Sequence, residues 1–381
     1  MTAPVPVAVV GLGNAGFDLH LPALAGLRQA RLVGAADLDE QRRARAAERF
    51  RVPVFGDLDR LLAETRPAVV VVATPPPSHA AVCERAFASG ADVICEKPFA
   101  PSVLEGERIA RAAAQAGRRL ALNHEFREMP IFRAVRDHVG RAGTGDLVFV
   151  QAWQNMDLPP WKEPGWRGAL LAGVLFEAGL HLLDYVLALF GERPRAVSAT
   201  VSSCGAREEP TDAVALVALE FSHGRLAQIV QNRLCPGDTQ YFEVRADCRE
   251  ASLRASFGGR ARLTAGLLRS TRPHVRLELG AAGLAWSERG HRRTRLAVNP
   301  KQPAMAATRA LLGRTLDAFR ADAAPPATAE DALDGLLVLA AAYESAATGR
   351  RVVLDAAAAA ALRDRPLAAG AGAGAGADVS G

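Results

Sequence analysis

Residues 5–16 of the 381-residue chain, VPVAVVGLGNAG, decide the fold. A valine-rich run leads directly into a G-x-G-x-x-G pattern, and the residues beyond it have the apolar spacing of a helix. In this pattern Gly11 permits a tight turn, Gly13 lets the backbone approach a ligand, and Gly16 lets the helix pack closely on the strand. Because the N–H groups of the helix N-terminus then face the ligand, the segment predicts a dinucleotide site.

The sequence that follows this motif alternates β-rich runs with helical patterns. Val69–Val72 is an unbroken series of valines, as expected for a strand buried on both faces. Regular alternation predicts βαβ units and an N-terminal α/β domain with a doubly wound parallel sheet. The expected strands are Val5–Val10, Ala30–Asp37, Val52–Phe55, Ala68–Ala73, Asp92–Glu96 and Leu120–Asn123. The expected helices are Ala15–Arg28, Asp39–Phe50, Leu58–Glu64, Ser78–Ser89 and Ser102–Ala116.

A different pattern begins near Asp146. β-like runs follow one another with turn signals between them, and one strong helix, Leu175–Phe190, interrupts the series. This predicts a C-terminal α+β domain with a mostly antiparallel sheet. The expected strands are Leu147–Gln154, Ala196–Ser203, Ala213–Phe221, Arg225–Arg233, Gln240–Ala246, Ala261–Thr264 and Val275–Leu279, and the later helices are Met305–Arg320, Thr328–Ala347 and Asp355–Arg363.

These patterns divide the chain into three parts. Residues 1–122 form the predicted dinucleotide-binding domain, and residues 123–365 form the predicted α+β domain. Residues 366–381 are a low-complexity Gly/Ala tail with nothing to pack against, so we expect it to be disordered.

Composition places the chain among globular proteins and excludes several functional classes. Hydrophobic residues make up 49% and charged residues 23%, and no apolar run approaches the roughly 18 residues of a membrane span. The net charge is +5, but the basic residues are spread along the chain, so we expect no nucleic-acid partner. Five cysteines without a C-x-x-C pair favour a reducing, cytoplasmic location and indicate neither a metal site nor a disulfide framework.

Asp37 ends the second predicted strand, 21 residues after Gly16. A carboxylate at this position can accept hydrogen bonds from ribose hydroxyls, and it repels a 2′-phosphate. NAD is therefore favoured over NADP as the cofactor. Arg42 and Arg43 lie just beyond and can soften that preference, which keeps NADP as the alternative.

The loop after the fourth strand reads Thr74-Pro75-Pro-Pro-Ser-His79. Its prolines force an extended exit from the strand, as in loops that face ligands at the carboxyl edge of a parallel sheet. An ordinary connection between strand and helix is the alternative interpretation.

Glu96-Lys97-Pro98 ends the fifth strand. Pro98 biases Lys97 away from a helical conformation, so the amine projects from the sheet edge where open α/β sheets bind ligands. A desolvated lysine can polarise or deprotonate a hydroxyl, whereas the alternative is a surface lysine. The predicted cofactor contacts are Gly11, Gly13, Asn14, Ala15, Gly16, Asp37, Thr74, Pro75, His79, Glu96 and Lys97.

Glu177, His181 and Asp184 form a second group of candidate residues. Spacings of four and three place them on one helical face, within about 60° of arc. Titratable groups on a largely apolar helix are costly unless they are paired or used, and histidine can accept and return a proton near neutral pH. The alternative is a core histidine that is hydrogen-bonded to a neighbouring carboxylate.

Together these motifs resemble the Gfo/Idh/MocA family of oxidoreductases (glucose–fructose oxidoreductase, inositol dehydrogenase, rhizopine catabolism). The resemblance covers residues 5 to about 354 and includes the closing segment from Glu330 to Val352. It implies a Rossmann domain followed by an open, mostly antiparallel sheet that often forms the interface of a homo-oligomer, a dimer or a tetramer. In relatives the peptide bond equivalent to Lys97–Pro98 is often cis.

The resemblance also implies an activity and a role for each candidate residue. The expected reaction is NAD(P)-dependent hydride transfer to or from a secondary alcohol of a sugar, cyclitol or sugar derivative. In the oxidative direction His181 takes the hydroxyl proton and Lys97 stabilises the alkoxide. Glu177 orients the imidazole or a neighbouring hydroxyl, and Asp184 supports the histidine from behind.

The chain departs from the family pattern on the substrate side. Glu177 stands where the family usually has Asp, and Asn123-His-Glu-Phe-Arg127 stands where relatives tend to show Asn-x-Arg. A loop with two tryptophans either walls a carbohydrate pocket or packs as a rim. The predicted substrate contacts are His124, Arg127, Trp161 and Trp166.

Two other functions fit the same motifs. In a redox-neutral enzyme, a tightly held NAD oxidises the sugar transiently, which permits elimination or epimerisation before the hydride returns. In a regulatory protein, the fold senses a dinucleotide without turnover. A sensor needs neither Lys97 nor His181, so their presence favours an enzyme.

Overall fold

The computed structural model describes residues 3–158, 173–203, 212–236, 242–257, 261–266, 274–279 and 283–367. A parallel six-stranded sheet lies in the N-terminal part, and a nine-stranded, mostly antiparallel sheet lies in the C-terminal part. The predicted fold class is therefore confirmed. The predicted tail lies almost wholly outside the described residues, which end at 367.

The first sheet consists of β1 (Val5–Val10), β2 (Ala30–Ala36), β3 (Val54–Phe55), β4 (Val69–Val72), β5 (Asp92–Cys95) and β6 (Leu120–Leu122). All its pairs are parallel, and the strand order is β3-β2-β1-β4-β5-β6. The carboxyl ends therefore share one edge, where the loops after β1, β4 and β5 lie side by side. This arrangement brings the glycine loop, the proline loop and the Glu96–Lys97 dipeptide together.

Helices α1 (Leu21–Ala25), α2 (Glu40–Phe50), α3 (Leu58–Thr65), α4 (His79–Ala88) and α5 (Val103–Gln115) connect these strands. Side chains fix where three of them begin, because a capping oxygen accepts hydrogen bonds from the first backbone N–H groups. Asp39 caps α2, Asp57 caps α3 and Ser102 caps α5.

The first connection differs from the single predicted helix Ala15–Arg28. It begins as a π-helical turn, Ala15–His20, and only then becomes α1, which ends at Ala25. Pro22 has no N–H to donate, so it is tolerated in the first turn of α1 but not within a continuous α-helix. The wide turn leaves His20 at the junction, where it is completely buried.

The second sheet begins with β7 (Leu147–Asn155), β8 (Ala196–Ser202), β9 (Val214–Glu220), β10 (Leu226–Asn232), β11 (Glu243–Cys248) and β12 (Ser252–Ser256). After β13 (Ala261–Gly266) and β14 (His274–Leu279), the chain returns to it with β15 (Leu284–Arg289), β16 (Arg292–Val298) and β17 (Val352–Val353). The order is β16-β15-β12-β11-β7-β10-β9-β8-β17, and only β7 and β10 run parallel among its described pairs.

Two late strands are present as predicted but lie outside this sheet, and three strands of the sheet were not predicted. Ala261–Thr264 and Val275–Leu279 belong to β13 and β14, which pair with each other in a separate two-stranded sheet. The edge of the large sheet is instead formed by β12, β15 and β16, which the sequence did not reveal. β12 alternates polar and apolar residues but is only five residues long, and β16 carries three arginines and is largely exposed, so neither gives a strong strand signal.

The C-terminal part also contains α6 (Pro130–His138), α7 (Leu180–Phe190), α8 (Pro303–Arg320), α9 (Ala329–Thr348) and α10 (Ala356–Leu362). A π-helical turn, Leu175–Gly179, leads into α7, which is buried over almost all its residues. The chain finally returns to the first sheet, because Leu312 and Leu316 of α8 pack in the same cluster as Val7 and Leu21. Of the helices within the described ranges, none has the length and apolar character needed to cross a membrane.

Candidate active site

The glycine loop contains two positions where a Cβ would collide with backbone and one position that faces open space. Gly11 has φ +93°, and a Cβ there would lie 2.5 Å from the carbonyl oxygen of Ala73. A Cβ on Gly16 would lie 1.9 Å from the carbonyl oxygen of Gly11. A Cβ on Gly13 would meet nothing within 4 Å, so a ligand can approach the backbone at this point.

Asp37 is fixed beside the glycine loop by backbone hydrogen bonds. Its Oδ2 accepts from the N–H of Leu12 at 2.6 Å, and its Oδ1 accepts from the N–H of Asp39 at 2.8 Å. Arg43 donates to the Asp37 and Leu38 carbonyls, which holds the turn, whereas the half-exposed Arg42 lies 3.7 Å from Asp37 Oδ2. The predicted carboxylate therefore stands where it can meet a ribose.

These observations fit a dinucleotide. The open space at Gly13 lies at the start of the helical turn that carries Asn14 and Ala15, and Asp37 is joined to Leu12 within the same loop. The Thr74 hydroxyl oxygen, next to Gly11, is buried and has no hydrogen-bond partner among the described residues. Pro75, the other predicted contact in the proline loop, is exposed.

His79 has a different position from the one predicted for a cofactor contact. The ring is completely buried, with Nε2 2.7 Å from the Thr74 carbonyl oxygen and Nδ1 3.0 Å from the Phe99 carbonyl oxygen. Burial lowers the pKa of His79, although both carbonyls act in the opposite direction. Since both nitrogens face the protein, His79 joins the proline loop to the segment after Lys97.

Glu96 accepts hydrogen bonds from three protein groups. Its Oε1 accepts from His20 Nε2 at 2.6 Å and from Asn123 Nδ2 at 2.7 Å, and its Oε2 accepts from the Lys97 N–H at 2.9 Å. Burial by itself raises the pKa of Glu96. The hydrogen bond and charge of His20, together with Lys97, outweigh burial and hold the pKa below its usual value.

Lys97 projects from the end of β5 and contacts the second part of the molecule. Its Nζ donates to the carbonyl oxygen of Glu177 at 3.1 Å and lies 3.5 Å from Glu177 Oε1. The peptide bond from Lys97 to Pro98 is cis. Glu177 lies in the π-helical turn before α7, a conformation that is frequent at functional sites. The candidate residues of the two predicted domains therefore meet at this contact.

Asp212, which the sequence did not single out, fixes the start of this turn. Its Oδ2 accepts from the N–H of Leu175 at 2.9 Å, and its carbonyl oxygen accepts from the N–H of Val174 at 2.9 Å. Tyr343 donates to its Oδ1 at 3.1 Å. A Cβ on Gly173 would collide with this carboxylate. The segment that carries Glu177 and His181 is thus positioned by a residue that lies just before β9.

His181 is a buried imidazole with unused hydrogen-bonding capacity. Its ring stacks on Phe126 with centroids 4.1 Å apart, and its Nδ1 has no partner in the part of the chain that the structure describes. Burial, and then the charges of Lys97 and His124, lower the pKa of His181 well below its usual value. The imidazole is therefore neutral near neutral pH and can accept a proton.

Asp184 and Arg127 form an ion pair away from His181. Arg127 donates from Nε to Asp184 Oδ2 at 2.8 Å and from Nη2 to Oδ1 at 2.6 Å, and its Nη1 donates to Asp331 at 3.0 Å. Both carboxylate oxygens of Asp184 accept from Arg127, whereas support of His181 by Asp184 and a substrate contact of Arg127 stay predictions. The π-helical turn affects Glu177 instead, because its wider spacing removes Glu177 from the predicted common face, while His181 and Asp184 both lie in α7.

His124 and Glu125 are buried beside this ion pair. His124 Nε2 lies 3.6 Å from Asp184 Oδ1, and neither ring nitrogen has a hydrogen-bond partner among the described groups. Burial lowers the pKa of His124, despite the opposing charge of Asp184. Burial, reinforced by the charge of Glu96, raises the pKa of Glu125 to about 8. Both residues are thus uncharged near neutral pH.

Four of these residues were missed as site residues by the sequence analysis, for a physical reason. His20, Asn123 and Asp212 gain their roles from partners that are 76, 27 and 37 residues away in sequence, and Glu125 gains its raised pKa from burial. No local spacing marks such contacts, although His20 is a polar residue between Leu19 and Leu21, four positions after Gly16. Trp161 and Trp166, which the sequence analysis proposed, lie outside the described residues.

Comparisons with known proteins agree with this geometry. Residues 5–124 match the family model described as "Oxidoreductase family, NAD-binding Rossmann fold", and residues 132–253 match the GFO/IDH/MocA C-terminal domain. The chain belongs to the Gfo/Idh/MocA oxidoreductase family. Its glycine loop is accordingly part of an NAD-binding Rossmann domain.

Two curated relatives of this Gfo/Idh/MocA protein are sugar or cyclitol dehydrogenases by name. Inositol 2-dehydrogenase of Rubrobacter xylanophilus is 32% identical over 183 residues, which are 47% of this chain and 50% of that protein. D-apiose dehydrogenase of Paraburkholderia graminis is 30% identical over 227 residues, which are 57% of this chain and 57% of that protein. The chain thus spans about half the length of the curated relatives it matches.

A solved structure shows the same fold over nearly the whole chain. An oxidoreductase from Agrobacterium radiobacter, in complex with NAD+, L-tartaric acid and magnesium, superposes with a TM-score of 0.76 and 20% identity. The superposition covers 92% of this chain and 98% of that one. In the present chain, no group of three or more His, Cys, Asp or Glu among the described residues is arranged to hold a metal ion.

Proposed function

We propose that the chain is an NAD-dependent oxidoreductase that acts on a secondary alcohol, or the matching ketone, of a sugar, cyclitol or sugar derivative. One observation carries the proposal: Lys97, from the ligand-binding edge of the parallel sheet, contacts the turn that leads to His181. The names of the inositol and D-apiose dehydrogenases support the substrate class.

His181 is the proposed general base. Because its pKa is well below the usual value, the imidazole is uncharged and ready to accept a proton at neutral pH. Its Nδ1 has no described partner, and stacking on Phe126 fixes the plane of the ring. In the oxidative direction His181 takes the hydroxyl proton, and in the reductive direction it returns one.

Lys97 is the proposed electrostatic partner of the reacting oxygen. Its ammonium lies close to two oxygens of Glu177, and an ammonium has a third N–H to offer. An N–H directed at the substrate oxygen stabilises the negative charge that develops there. In this proposal Glu177 holds Lys97, instead of orienting the imidazole as the sequence analysis expected.

NAD is the proposed cofactor, and when bound it supplies the hydride acceptor or donor at the nicotinamide. The glycine loop from Gly11 to Gly16 and the Thr74–Pro75 segment would hold it at the carboxyl edge of the sheet. Asp37, fixed by Leu12 and Asp39, favours a ribose hydroxyl over a 2′-phosphate. NADP remains the alternative because Arg42 is half exposed beside that carboxylate.

The substrate contacts are also a proposal. Arg127 already pairs with Asp184 and Asp331, so His124, with two unpartnered nitrogens among the described groups, is the better candidate. Trp161 and Trp166 stay predicted wall residues of the pocket.

We further propose the division into domains at residues 1–122 and 123–365 and a cytoplasmic homo-oligomer. Three large apolar side chains on adjacent strands of the second sheet are exposed, which supports the oligomer. Val148 on β7, Leu216 on β9 and Leu226 on β10 are 46%, 47% and 47% exposed. In an oligomer such apolar side chains can be covered by a partner subunit.

A substrate panel tests the proposed activity. Sugars, cyclitols and sugar derivatives are offered with NAD and with NADP in parallel, and reduced nicotinamide is followed by its absorbance. We expect turnover of at least one member of the panel, faster with NAD. Binding of NAD without turnover of any member contradicts the proposal and favours a sensor. Release of a substituent without net reduced nicotinamide indicates the redox-neutral enzyme instead.

A further inference from the structure

We infer that His20 is a positioning residue for Lys97: by donating to Glu96, it keeps a negative charge beside the lysine ammonium. This inference rests on the proposed function of Lys97. His20 belongs to the turn that follows the glycine loop, so it also joins the cofactor loop to the reacting end of β5.

The geometry gives His20 the role of a hydrogen-bond donor. Its Nε2 lies 2.6 Å from Glu96 Oε1, and an ionised carboxylate can only accept, so Nε2 carries the proton. Asn123 donates to the same oxygen at 2.7 Å, and the Lys97 N–H donates to the other at 2.9 Å. Three donors from three parts of the chain therefore converge on one buried carboxylate.

A role in stability alone does not explain why a histidine is buried at position 20. His20 is completely buried, and its Nδ1 has no partner among the described residues, which costs free energy that an apolar side chain would avoid. A buried carboxylate is likewise costly unless it is hydrogen-bonded or paired. The buried His20 and the buried Glu96 carboxylate are both costly to stability. We infer that the arrangement is kept because the negative charge of Glu96 serves the function of Lys97.

The use of that charge follows from the position of Lys97. Glu177 Oε1 lies 3.5 Å from the ammonium, and the charge of Lys97 lowers the pKa of Glu96, so the Glu96 carboxylate also lies within electrostatic reach of the ammonium. In this inference an ionised Glu96 offsets part of the attraction of Glu177. If Glu96 takes up a proton, the ammonium is drawn toward Glu177 and away from the reacting oxygen.

The charged and titratable groups around Glu96 indicate what His20 contributes. Burial raises the pKa of Glu96, while His20 and Lys97 lower it, and the net result is a lowered pKa. The other titratable groups within electrostatic reach are His79, Cys95, His124 and Glu125. Without His20 the effect of burial dominates, so Glu96 takes up a proton at a higher pH.

The test uses two substitutions and a signal that does not depend on turnover. His20→Phe removes the donor and keeps a buried ring, whereas His20→Gln keeps an N–H donor. The chain has three lysines, Lys97, Lys162 and Lys301, so carbon-13 labelling at lysine Cε gives few signals to resolve. The Lys97 signal, assigned by its loss in Lys97→Met, reports the pH at which the neighbouring Glu96 ionises.

We expect His20→Phe to move that inflection upward by about one pH unit or more, the size expected for losing a hydrogen bond to a charged group. In His20→Gln the inflection of the Lys97 signal should lie closer to its wild-type pH. In turnover, His20→Phe should lower kcat, leave the KM for NAD little changed and move the acid limb of the kcat profile to higher pH. An unmoved inflection in folded His20→Phe, or equal shifts in both variants, overturns the inference.

Two further measurements keep the outcome decisive. If His20→Phe does not fold, His20→Leu removes the same donor, and an unmoved inflection in that folded variant also overturns the inference. If the wild-type protein turns over no member of the substrate panel, the proposed function fails. The position of the Lys97 inflection in the three proteins still decides whether His20 controls the charge of Glu96.

Discussion

Two π-helical turns meet the Glu96–Lys97 dipeptide from opposite sides, and they are anchored in different ways. The turn Ala15–His20 is anchored by backbone, because Gly16 packs directly against the carbonyl of the glycine loop. The turn Leu175–Gly179 is anchored by a side chain, because Asp212 accepts the N–H of Leu175. The first brings a donor to Glu96, and the second brings acceptors to Lys97.

The two kinds of anchor differ in the substitutions that they tolerate. A backbone anchor has no room for an added atom but does not depend on any distant side chain. A side-chain anchor is lost when its one partner side chain is shortened. Substitutions at the dipeptide itself, at the glycines and at Asp212 therefore separate the two sides experimentally.

Lys97→Met removes the residue on which both sides converge and should have the largest effect. We expect kcat to fall by about 10³-fold, the size seen when a charge-stabilising donor is removed from an active site. Affinity for NAD, measured by titration calorimetry, should stay nearly constant. Lys301→Met is the matched control, because Lys301 is exposed. A kcat within tenfold of wild type would exclude Lys97 from the mechanism.

The backbone anchor is tested by two alanine substitutions in the glycine loop. Gly16→Ala places a Cβ 1.9 Å from the Gly11 carbonyl oxygen, so we expect a loss of about 3 kcal/mol in the free energy of unfolding. Gly13→Ala meets nothing within 4 Å, so stability should hold while NAD affinity falls about tenfold, because the added methyl group stands where the ligand approaches. Urea denaturation and calorimetry measure the two effects. Equal stability losses in both variants would contradict the division of roles.

The side-chain anchor is tested at Asp212. Asp212→Ala leaves the Leu175 N–H and the Tyr343 hydroxyl without their acceptor, so we expect a loss of about 2 kcal/mol in stability. Misplacement of the turn should also lower kcat by about 10-fold to 100-fold. Asp212→Asn keeps one acceptor oxygen and should recover part of both losses.

To separate a positioning role from a stability role, kcat is measured at a temperature where both Asp212 variants are fully folded. A variant that loses stability but keeps the wild-type kcat there would show that Asp212 does not position Glu177 and His181. Affinity for NAD should be unaffected in either variant, because the glycine loop has its own backbone anchor.

The same contrast explains how much the sequence could predict. The glycine loop, Asp37 and Lys97 follow from local patterns, since a turn, a strand end and a proline each constrain their neighbours directly. The placement of β1, β4 and β5 in one parallel sheet follows in the same way from the alternation of elements. The arrangement of this edge was therefore predictable without any long-range information.

The second side of the site was predicted less well because its order depends on contacts between distant residues. Periodicity placed Glu177, His181 and Asp184 on one α-helical face, but the π-helical turn removes Glu177 from that face, while His181 and Asp184 both lie in α7. Glu177 contacts Lys97, and Asp184 pairs with Arg127, a residue 57 positions earlier in the chain. No local pattern reveals a π-helical turn that is held by an aspartate 37 residues later in the chain.

The pH dependence of turnover tests the second side through His181. Burial and the nearby charges of Lys97 and His124 lower its pKa well below 6.5, and the neutral imidazole is the active base. Oxidation should therefore stay constant as pH falls through 6.5 and decline only below it. Because the unfolded chain binds this proton more readily, stability should also begin to fall below about pH 6.5. His181→Gln should lose both the rate and its acid limb, and an acid limb above pH 6.5 in the wild type would contradict the assignment.

Arg42→Ala tests the preference for NAD over NADP at the Asp37 end of the cofactor site and should have the smallest effect. Arg42 is 50% exposed and lies 3.7 Å from Asp37, so the free energy of unfolding should change by less than about 0.5 kcal/mol. The KM for NAD should stay within about twofold, while that for NADP should rise about twofold to fivefold, because a cation near the 2′-phosphate is lost. Arg43→Ala is the contrasting control, since Arg43 donates to the Asp37 and Leu38 carbonyls and holds the turn for both cofactors. If Arg42→Ala weakens NAD and NADP equally, the fixed carboxylate of Asp37, rather than a balance between it and Arg42, sets the preference.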